Sequence, residues 1–190
     1  MRTGIAYRDE PLLAYDEVRF AGERVAAVCA DDADIATAAA ALIQVDYEEL
    51  TPMLSAAEAL APQAPIIHPD FNSYYGVVPI DLPSNAYGHI TLAAGDTTVG
   101  FAEADVIVER TYETPLIHQV YFEPHACLVS IDPDGTAQVW VASGTPGVNH
   151  AEIARVLGVP PERIVINFSL LGGSYGGKTD GTEVAICYLL

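Results

Sequence analysis

The sequence predicts a mixed α/β fold of the α+β class, and three observations carry that prediction. Strand-like, helix-like and strand-like runs follow one another within about 25 residues from Val25. Further on, a hairpin signal is followed by a helix with a glycine stop. Last, the β-branched run Ile164-Val165-Ile166-Asn167-Phe168 leads straight into a glycine-rich loop and a helix start.

The first strand is Val25 to Ala30, a continuous apolar run that suits a buried position. Asp31 and Asp32 can cap the helix that follows, because a carboxylate accepts the open N–H groups of a first turn. From Ala33 to Gln44, Ile35, Ala39, Leu42 and Ile43 recur at helical spacing. Val45-Asp46-Tyr47-Glu48 alternates as a half-exposed strand does. Ser55 and Glu58 form a capping box before a short helix ending near Leu60. From Ala61 to Gly95, Pro62, Pro65, Pro69, Pro79 and Pro83 exclude continuous helix or central strand. Tyrosines and isoleucines in that stretch give it packing surface, so it is expected to be an ordered connection. The expected organisation is therefore a unit at 1–60, a connection at 61–95 and a second unit at 96–190.

The second unit opens on a helix from Asp96 to Ala104 with Asp96 and Thr97 as its cap, followed by a β-branched strand from Asp105 to Glu113. Val129 to Ile131 and Ala137 to Val141 flank Pro133-Asp134-Gly135, a hairpin turn. Asn149 is expected to cap the next helix, whose apolar face is Ile153, Ala154, Val156 and Leu157. Gly158 and Pro160 stop it. Asp180 is expected to open a last helix. Its apolar run, Val184 to Leu190, reads as core material without a cap or polar tail, so the sequence is expected to be part of a longer protein.

Composition narrows the function. The chain has 190 residues, 51% of them hydrophobic, and its 26 acidic against 8 basic residues give a formal charge of −18. Nucleic acid and anionic membrane both need clustered Lys and Arg, so neither is an expected partner. No run reaches the length of a membrane span, and the N-terminus lacks a signal-peptide core, so a cytoplasmic protein is expected. Cys29, Cys127 and Cys187 are distant from one another and read as three small buried hydrophobes. They form no C-x-x-C, so neither a zinc site nor an iron–sulfur cluster is expected in this chain.

The loop Leu171-Gly172-Gly173-Ser174-Tyr175-Gly176-Gly177-Lys178-Thr179 is the strongest chemical signal. Four glycines in six positions allow positive φ and bring backbone N–H groups close to an electron-rich ligand. Gly172 to Thr179 also fits G-x-x-x-x-G-K-S/T, so a phosphate-loop nucleotide-binding module is one alternative. Only eleven residues follow Thr179, which leaves no room for a downstream acidic strand to hold magnesium. A second polar cluster, His118 with Glu123-Pro124-His125-Ala126-Cys127, reads as a strand entry whose His and Glu satisfy backbone groups. A metal set would want ligands at one turn's spacing, which His118 and His125 do not supply. His68, His89 and His150 fall in loops or caps.

These segments, in this order, resemble the molybdenum-binding subunit of xanthine dehydrogenase/aldehyde oxidase-type hydroxylases. The likeness runs through Val18 to Val28, Val45 to Leu50, Phe101 to Asp105 with Thr111 to Pro115, His118 with Glu123 to Ala126, Leu157 to Pro160, and Gly172 to Lys178. It implies a partial α/β hammerhead unit followed by the first part of a molybdopterin-binding domain. It implies a molybdenum–molybdopterin cofactor, the dinucleotide form included, whose ligands and pterin would meet the backbone N–H groups of Gly173, Ser174, Tyr175 and Gly176. The implied reaction hydroxylates an aldehyde or electron-poor heterocycle with oxygen from water. Electrons leave through iron–sulfur clusters and FAD on partner domains or subunits. The family's general-base glutamate would lie beyond residue 190, so no catalytic residue and no side-chain metal ligand is assigned here. Two positions depart from the family pattern: Gly144 stands where a Gln is common, and Thr179 where xanthine-type members carry an acid. Both weigh against a purine substrate. A cofactor-free packing subunit is the remaining alternative.

Overall fold

The computed structural model describes residues 1–4, 7–77, 85–179 and 181–190. The elements are, in order, β1 (Arg2–Thr3), β2 (Glu10–Pro11), α1 (Ala33–Ala40), α2 (Ala56–Ala59), a 3-10 turn (Phe71–Ser73), α3 (Thr97–Glu103), β3 (Cys127–Ile131), β4 (Ala137–Val141), α4 (Pro146–Leu157), a 3-10 turn (Pro161–Arg163), β5 (Ile164–Phe168) and α5 (Thr182–Leu189). The mixed α/β class holds. Among the described residues, no helix is long and apolar enough to cross a membrane.

The site is positioned by a three-stranded sheet in the order β3-β4-β5. β3 and β4 pair antiparallel from Cys127↔Val141 to Ile131↔Ala137, closing the expected hairpin. Its turn is fixed by Gly135 N–H donating to Asp132 O and by Asp134 Oδ1 accepting from Thr136 N at 2.9 Å. β4 and β5 pair parallel from Ala137↔Ile164 to Val141↔Phe168, so α4 is the crossover a parallel pair needs. Inward residues alternate along β4: Ala137, Val139 and Val141 are buried, while Trp140 faces out. Val139 and Val141 join Ile153 and Ala154 of α4, Ile164 of β5 and Val184 of α5 in the main core. Each of these Val and Ile side chains contributes roughly 1.5–3 kcal/mol by leaving water. Leu12 packs with Val156 and Ala185, which joins the N-terminal segment to the same pair of helices.

α4 ends as expected. Gly158 takes φ 67°, its N–H donates to Arg155 O, and Val159 N–H reaches Ala154 O at 3.1 Å, a Schellman stop followed by Pro160. It starts earlier than expected. Pro146 occupies the first turn, where its fixed φ suits the helix, so Thr145 precedes the helix and Asn149 lies inside it, buried. His150 is therefore helical too, with Nε2 2.9 Å from both Pro161 O and Ile164 O. α1 is capped by Asp32, α3 by Asp96 and α2 by Ser55. Glu58 Oε2 completes the capping of α2 from one residue further back, accepting the Leu54 N–H at 3.0 Å. The expected start of α5 at Asp180 lies outside the described residues, as do Pro79 and Pro83.

Three expected strands are not strands. Residues 25–30, 45–48 and 105–113 pair with nothing among the described residues. Val106, Ile107 and Val108 are exposed, and Val25 to Ala30 contributes no buried residue. β-propensity describes fit to a pleated, half-buried surface, and a ladder forms only where a second backbone offers partners. The apolar stripe of α1 is likewise uncovered, with no buried residue in the helix. Cys29 is exposed, and Cys127 and Cys187 are half-buried, so the expectation of three buried thiols fails. The proline-rich connection does pack where it is described. Tyr74 is buried, with Phe71 and His68 edge-on to it, and the Asn85 side chain ties Ile67 N, Ala59 O and Pro65 O together.

Candidate functional site

Two chain segments leave the same end of the parallel β4–β5 pair. After β4 comes Ala142-Ser143-Gly144-Thr145, and after β5 comes Ser169 to Thr179. Ser169 N–H donates to Val141 O, so the second segment departs on the ladder's own register. The two are cross-tied beyond the sheet: Gly144 N–H donates to Lys178 O at 3.0 Å, and Thr145 Oγ1 lies 2.9 Å from Thr179 O. Ser143 Oγ accepts from both Thr145 N and Asn149 Nδ2, which fixes the first segment to α4.

The glycines of the loop serve two different ends. Gly173 and Gly176 take φ 95° and 89°, where an L side chain is strained. Tyr175 also adopts a left-handed φ of 50°, which sequence reasoning did not foresee because its neighbours carry the glycines. Gly172 and Gly177 instead make room. A Cβ on Gly172 would stand 2.6 Å from Glu123 Cβ, and one on Gly177 would stand 2.6 Å from Tyr121 Cε1. Between them, Ser174 folds the loop on itself, its O accepting from Gly177 N and its Oγ from Lys178 N. Among the described residues, no protein acceptor meets the N–H groups of Gly173, Ser174, Tyr175 or Gly176. The four residues singled out from the sequence are thus brought together as a run of unengaged donors, with the Tyr175 side chain exposed beside them.

Glu123 holds the loop from below. Its Oε2 accepts Gly172 N–H at 2.8 Å and Lys178 Nζ at 2.6 Å. The Lys178 hydrogen bond, and then the Gly172 N–H, keep this carboxyl below its ordinary range. Lys178 is only 2% exposed, and its Nζ sits 4.8 Å from the Tyr121 ring centroid. Tyr121 is flanked by both His118 and His125, with its hydroxyl 2.6 Å from His125 Nε2. His125 Nδ1 lies 3.6 Å from Glu183 Oε1 on α5. Glu123 and His118 satisfy backbone groups as expected, His118 Nδ1 accepting the Val120 N–H at 3.0 Å, whereas His125 engages side chains. Among the described residues, no group of three or more His, Cys, Asp or Glu is placed to hold a metal ion.

This geometry does not favour a phosphate-loop nucleotide site. A phosphate-loop lysine must be free to reach the ligand, and Lys178 is buried and neutralised by Glu123. The Thr179 hydroxyl, which would hold magnesium, points back to Gly176 O at 3.3 Å. Tyr121, Ser143 and Thr145 escaped sequence reasoning, which places Asn149 only as a helix cap. Tyr121 meets the loop from more than fifty residues away, and nothing local in its surroundings signals that contact.

Fold and site together define a mixed α/β domain that offers neutral backbone donors at a parallel-strand exit. The family model for the molybdopterin cofactor-binding domain matches residues 79–190, and that for the a/b hammerhead domain of aldehyde oxidase and xanthine dehydrogenase matches residues 2–51; the chain belongs to this molybdopterin protein family. It is 34% identical over 179 residues to one of the probable xanthine dehydrogenase subunits of Bacillus subtilis (strain 168), covering 94% of this chain and 22% of that protein. It is 32% identical over 189 residues to the nicotinate dehydrogenase large molybdopterin subunit of Eubacterium barkeri, covering 100% of this chain and 41% of that one. The crystal structure of a Cu,Mo-CO dehydrogenase in its carbon monoxide reduced state superposes with a TM-score of 0.77 at 26% identity, covering 94% of this chain and 23% of that chain. The chain thus spans well under half the length of these relatives.

Proposed function

We propose that this chain forms the glycine-loop side of the cofactor site in the molybdenum subunit of a hydroxylase that oxidises an aldehyde or N-heterocycle. The carrying observation is the run of unengaged N–H groups at Gly173, Ser174, Tyr175 and Gly176, held in shape by Glu123. The residues fit a molybdenum–molybdopterin group. Its oxygen-rich periphery needs hydrogen-bond donors, and four stand here without acceptors among the described residues, on a loop whose Gly176 Cβ position faces open space. Lys178, the cation beside the loop, is already paired with Glu123, so binding rests on neutral donors rather than on charge.

When bound, that group would supply the two-electron oxidation, with oxygen drawn from water. This chain's residues bind and orient it. The N–H run of 173–176 fixes its position, and Gly176 lets the backbone come close, whereas a side chain at Gly173 would press on Tyr175 and Tyr121. Tyr175 presents an exposed hydroxyl-bearing ring beside Gly173. Gly144 borders the loop, since a Cβ there would lie 3.3 Å from Ser174 Oγ. With no side chain at 144 and a hydroxyl at Thr179 in place of an acid, the surroundings suit a substrate other than a purine. The likeness to a nicotinate dehydrogenase subunit supports a heterocyclic carboxylate as one such substrate. Iron–sulfur and FAD-bearing domains or subunits accept the electrons, the rest of a longer molybdenum subunit encloses the cofactor, and the isolated chain does not turn over. The proposed organisation is a hammerhead part at 1–60, a connection at 61–95 and a cofactor-binding part at 96–190, in the cytoplasm.

The test is metal and pterin analysis of the full-length protein. One molybdenum and one pterin per polypeptide is the expected result. An active full-length enzyme devoid of both would sink the proposal.

A further inference from the structure

A single carboxylate oxygen closes the glycine loop at both ends. Glu123 Oε2 takes the N–H of Gly172 and the ammonium of Lys178, which bracket the donor run. Lys178 is among the largest fully buried side chains of the chain, and Glu123 is the carboxylate it pairs with. An ammonium removed from water is tolerated only beside an anion. Lys178 therefore stays inside only while Glu123 keeps its place, and that place also fixes Gly172. Tyr121 completes the arrangement. Its ring lies under the ammonium, occupies the space a Gly177 side chain would need, and is steadied through His125.

We propose that Glu123 and Lys178, backed by Tyr121, act as a charge latch that sets the spacing of the 173–176 donors before any ligand arrives. What those donors bind rests on the proposed function above; that the latch shapes them does not. Glu123 and Lys178 are positioning residues and touch no cofactor. Preorganised donors bind better than donors that must be ordered on binding, so releasing the latch weakens the site without removing any donor from it.

A double-mutant cycle tests this with two readouts in the full-length protein: amide exchange of Gly177 and Lys178 in its cofactor-free form, and molybdenum per polypeptide. Glu123→Gln keeps an acceptor for Gly172 but leaves the ammonium buried without its anion. It is expected to speed exchange at both amides by about tenfold or more and to lower molybdenum content by about fivefold or more. Glu123→Gln with Lys178→Met removes both charges, and both readouts should return to within about threefold of wild type. Should Glu123→Gln fail to fold, Lys178→Met alone carries the test, because it buries no charge; loop exchange should rise while global melting holds. Unchanged exchange in either single variant overturns the latch. Faster exchange with undiminished molybdenum overturns its positioning role, and a double variant as impaired as Glu123→Gln overturns the charge argument. Normal molybdenum in Gly176→Val, alongside the expected exchange cycle, would instead remove the proposed function and leave the latch standing.

Discussion

Gly176→Val in the full-length protein separates backbone strain from ligand approach. Gly176 sits at φ 89°, and among the described residues no heavy atom lies within 4 Å of where a Cβ would project. The added Cβ therefore meets no clash with those residues, and the cost to folding that the backbone sets is conformational. An L residue in the left-handed region costs about 1–2 kcal/mol, and a β-branched one lies at the upper end. For a domain of this size each kcal/mol lowers the melting temperature by about 2–4 °C, so a drop of roughly 2–8 °C is expected. Molybdenum content should fall far more than such mild destabilisation explains, to less than about a tenth of wild type, because the new side chain occupies the space beside the donors. Gly176→Asn is the control. Asn tolerates left-handed backbone better, so it should melt closer to wild type yet still lose molybdenum. Calorimetry gives the first quantity and elemental analysis the second. Full molybdenum in Gly176→Val refutes the assignment, and a loss confined to Gly176→Val but absent from Gly176→Asn attributes the effect to strain instead.

Ile153→Ala, at a residue 1% exposed between β4, β5 and α5, should cost about 2–5 kcal/mol in denaturant unfolding of the chain, and a loss below about 1 kcal/mol would contradict the core described above. Burial pushes the Glu152 carboxyl up, but the Arg155 and Arg8 guanidiniums outweigh it and hold the group below its ordinary 4.5. A depressed carboxyl contributes stability that is present above its unfolded value and is lost as pH falls through the folded one. Wild type should therefore out-melt Glu152→Gln at about pH 6, with the gap closing as pH drops below 4.5; a gap that widens in acid would reverse the sign. Burial, with the Cys187 thiol close by, pushes Cys127 up to about 12, while Cys29 is exposed. At about pH 8 iodoacetamide should thus modify Cys29 well before Cys127 in a peptide-mapping time course, and equal rates would count against the packing of β3 on α5.

The parts of the fold legible in the sequence are those whose signal is local. Asp32, Ser55 and Asp96 cap the helices they were expected to cap, because a cap is a contact over two or three positions. The Pro133-Asp134-Gly135 turn and the Gly158 stop are equally short-range. The expected strands at 25–30, 45–48 and 105–113 had the right residues, yet a strand is a property of two segments, and composition reports on one. The site was half legible for the same reason. Gly173 and Gly176 announce positive φ through their own identity. That Gly172 and Gly177 are small because Glu123 and Tyr121 press against them could be read only once the chain had folded back across some fifty residues.

The pairing of β4 with β5 has a consequence for how the site can vary. The last ladder partners are Val141 and Phe168, and the two segments that build the site start from there. A slip of one residue would carry the donor loop about 3.3 Å along the strand and turn its side chains over. The ties from Gly144 to Lys178 and from Thr145 to Thr179 would break together. Strand register thus acts as the ruler against which the donors are set out. A residue can be exchanged at position 144 to reshape what borders the glycine loop, but an insertion anywhere between Ala137 and Gly144, or between Ile164 and Gly172, would misplace the array as a whole.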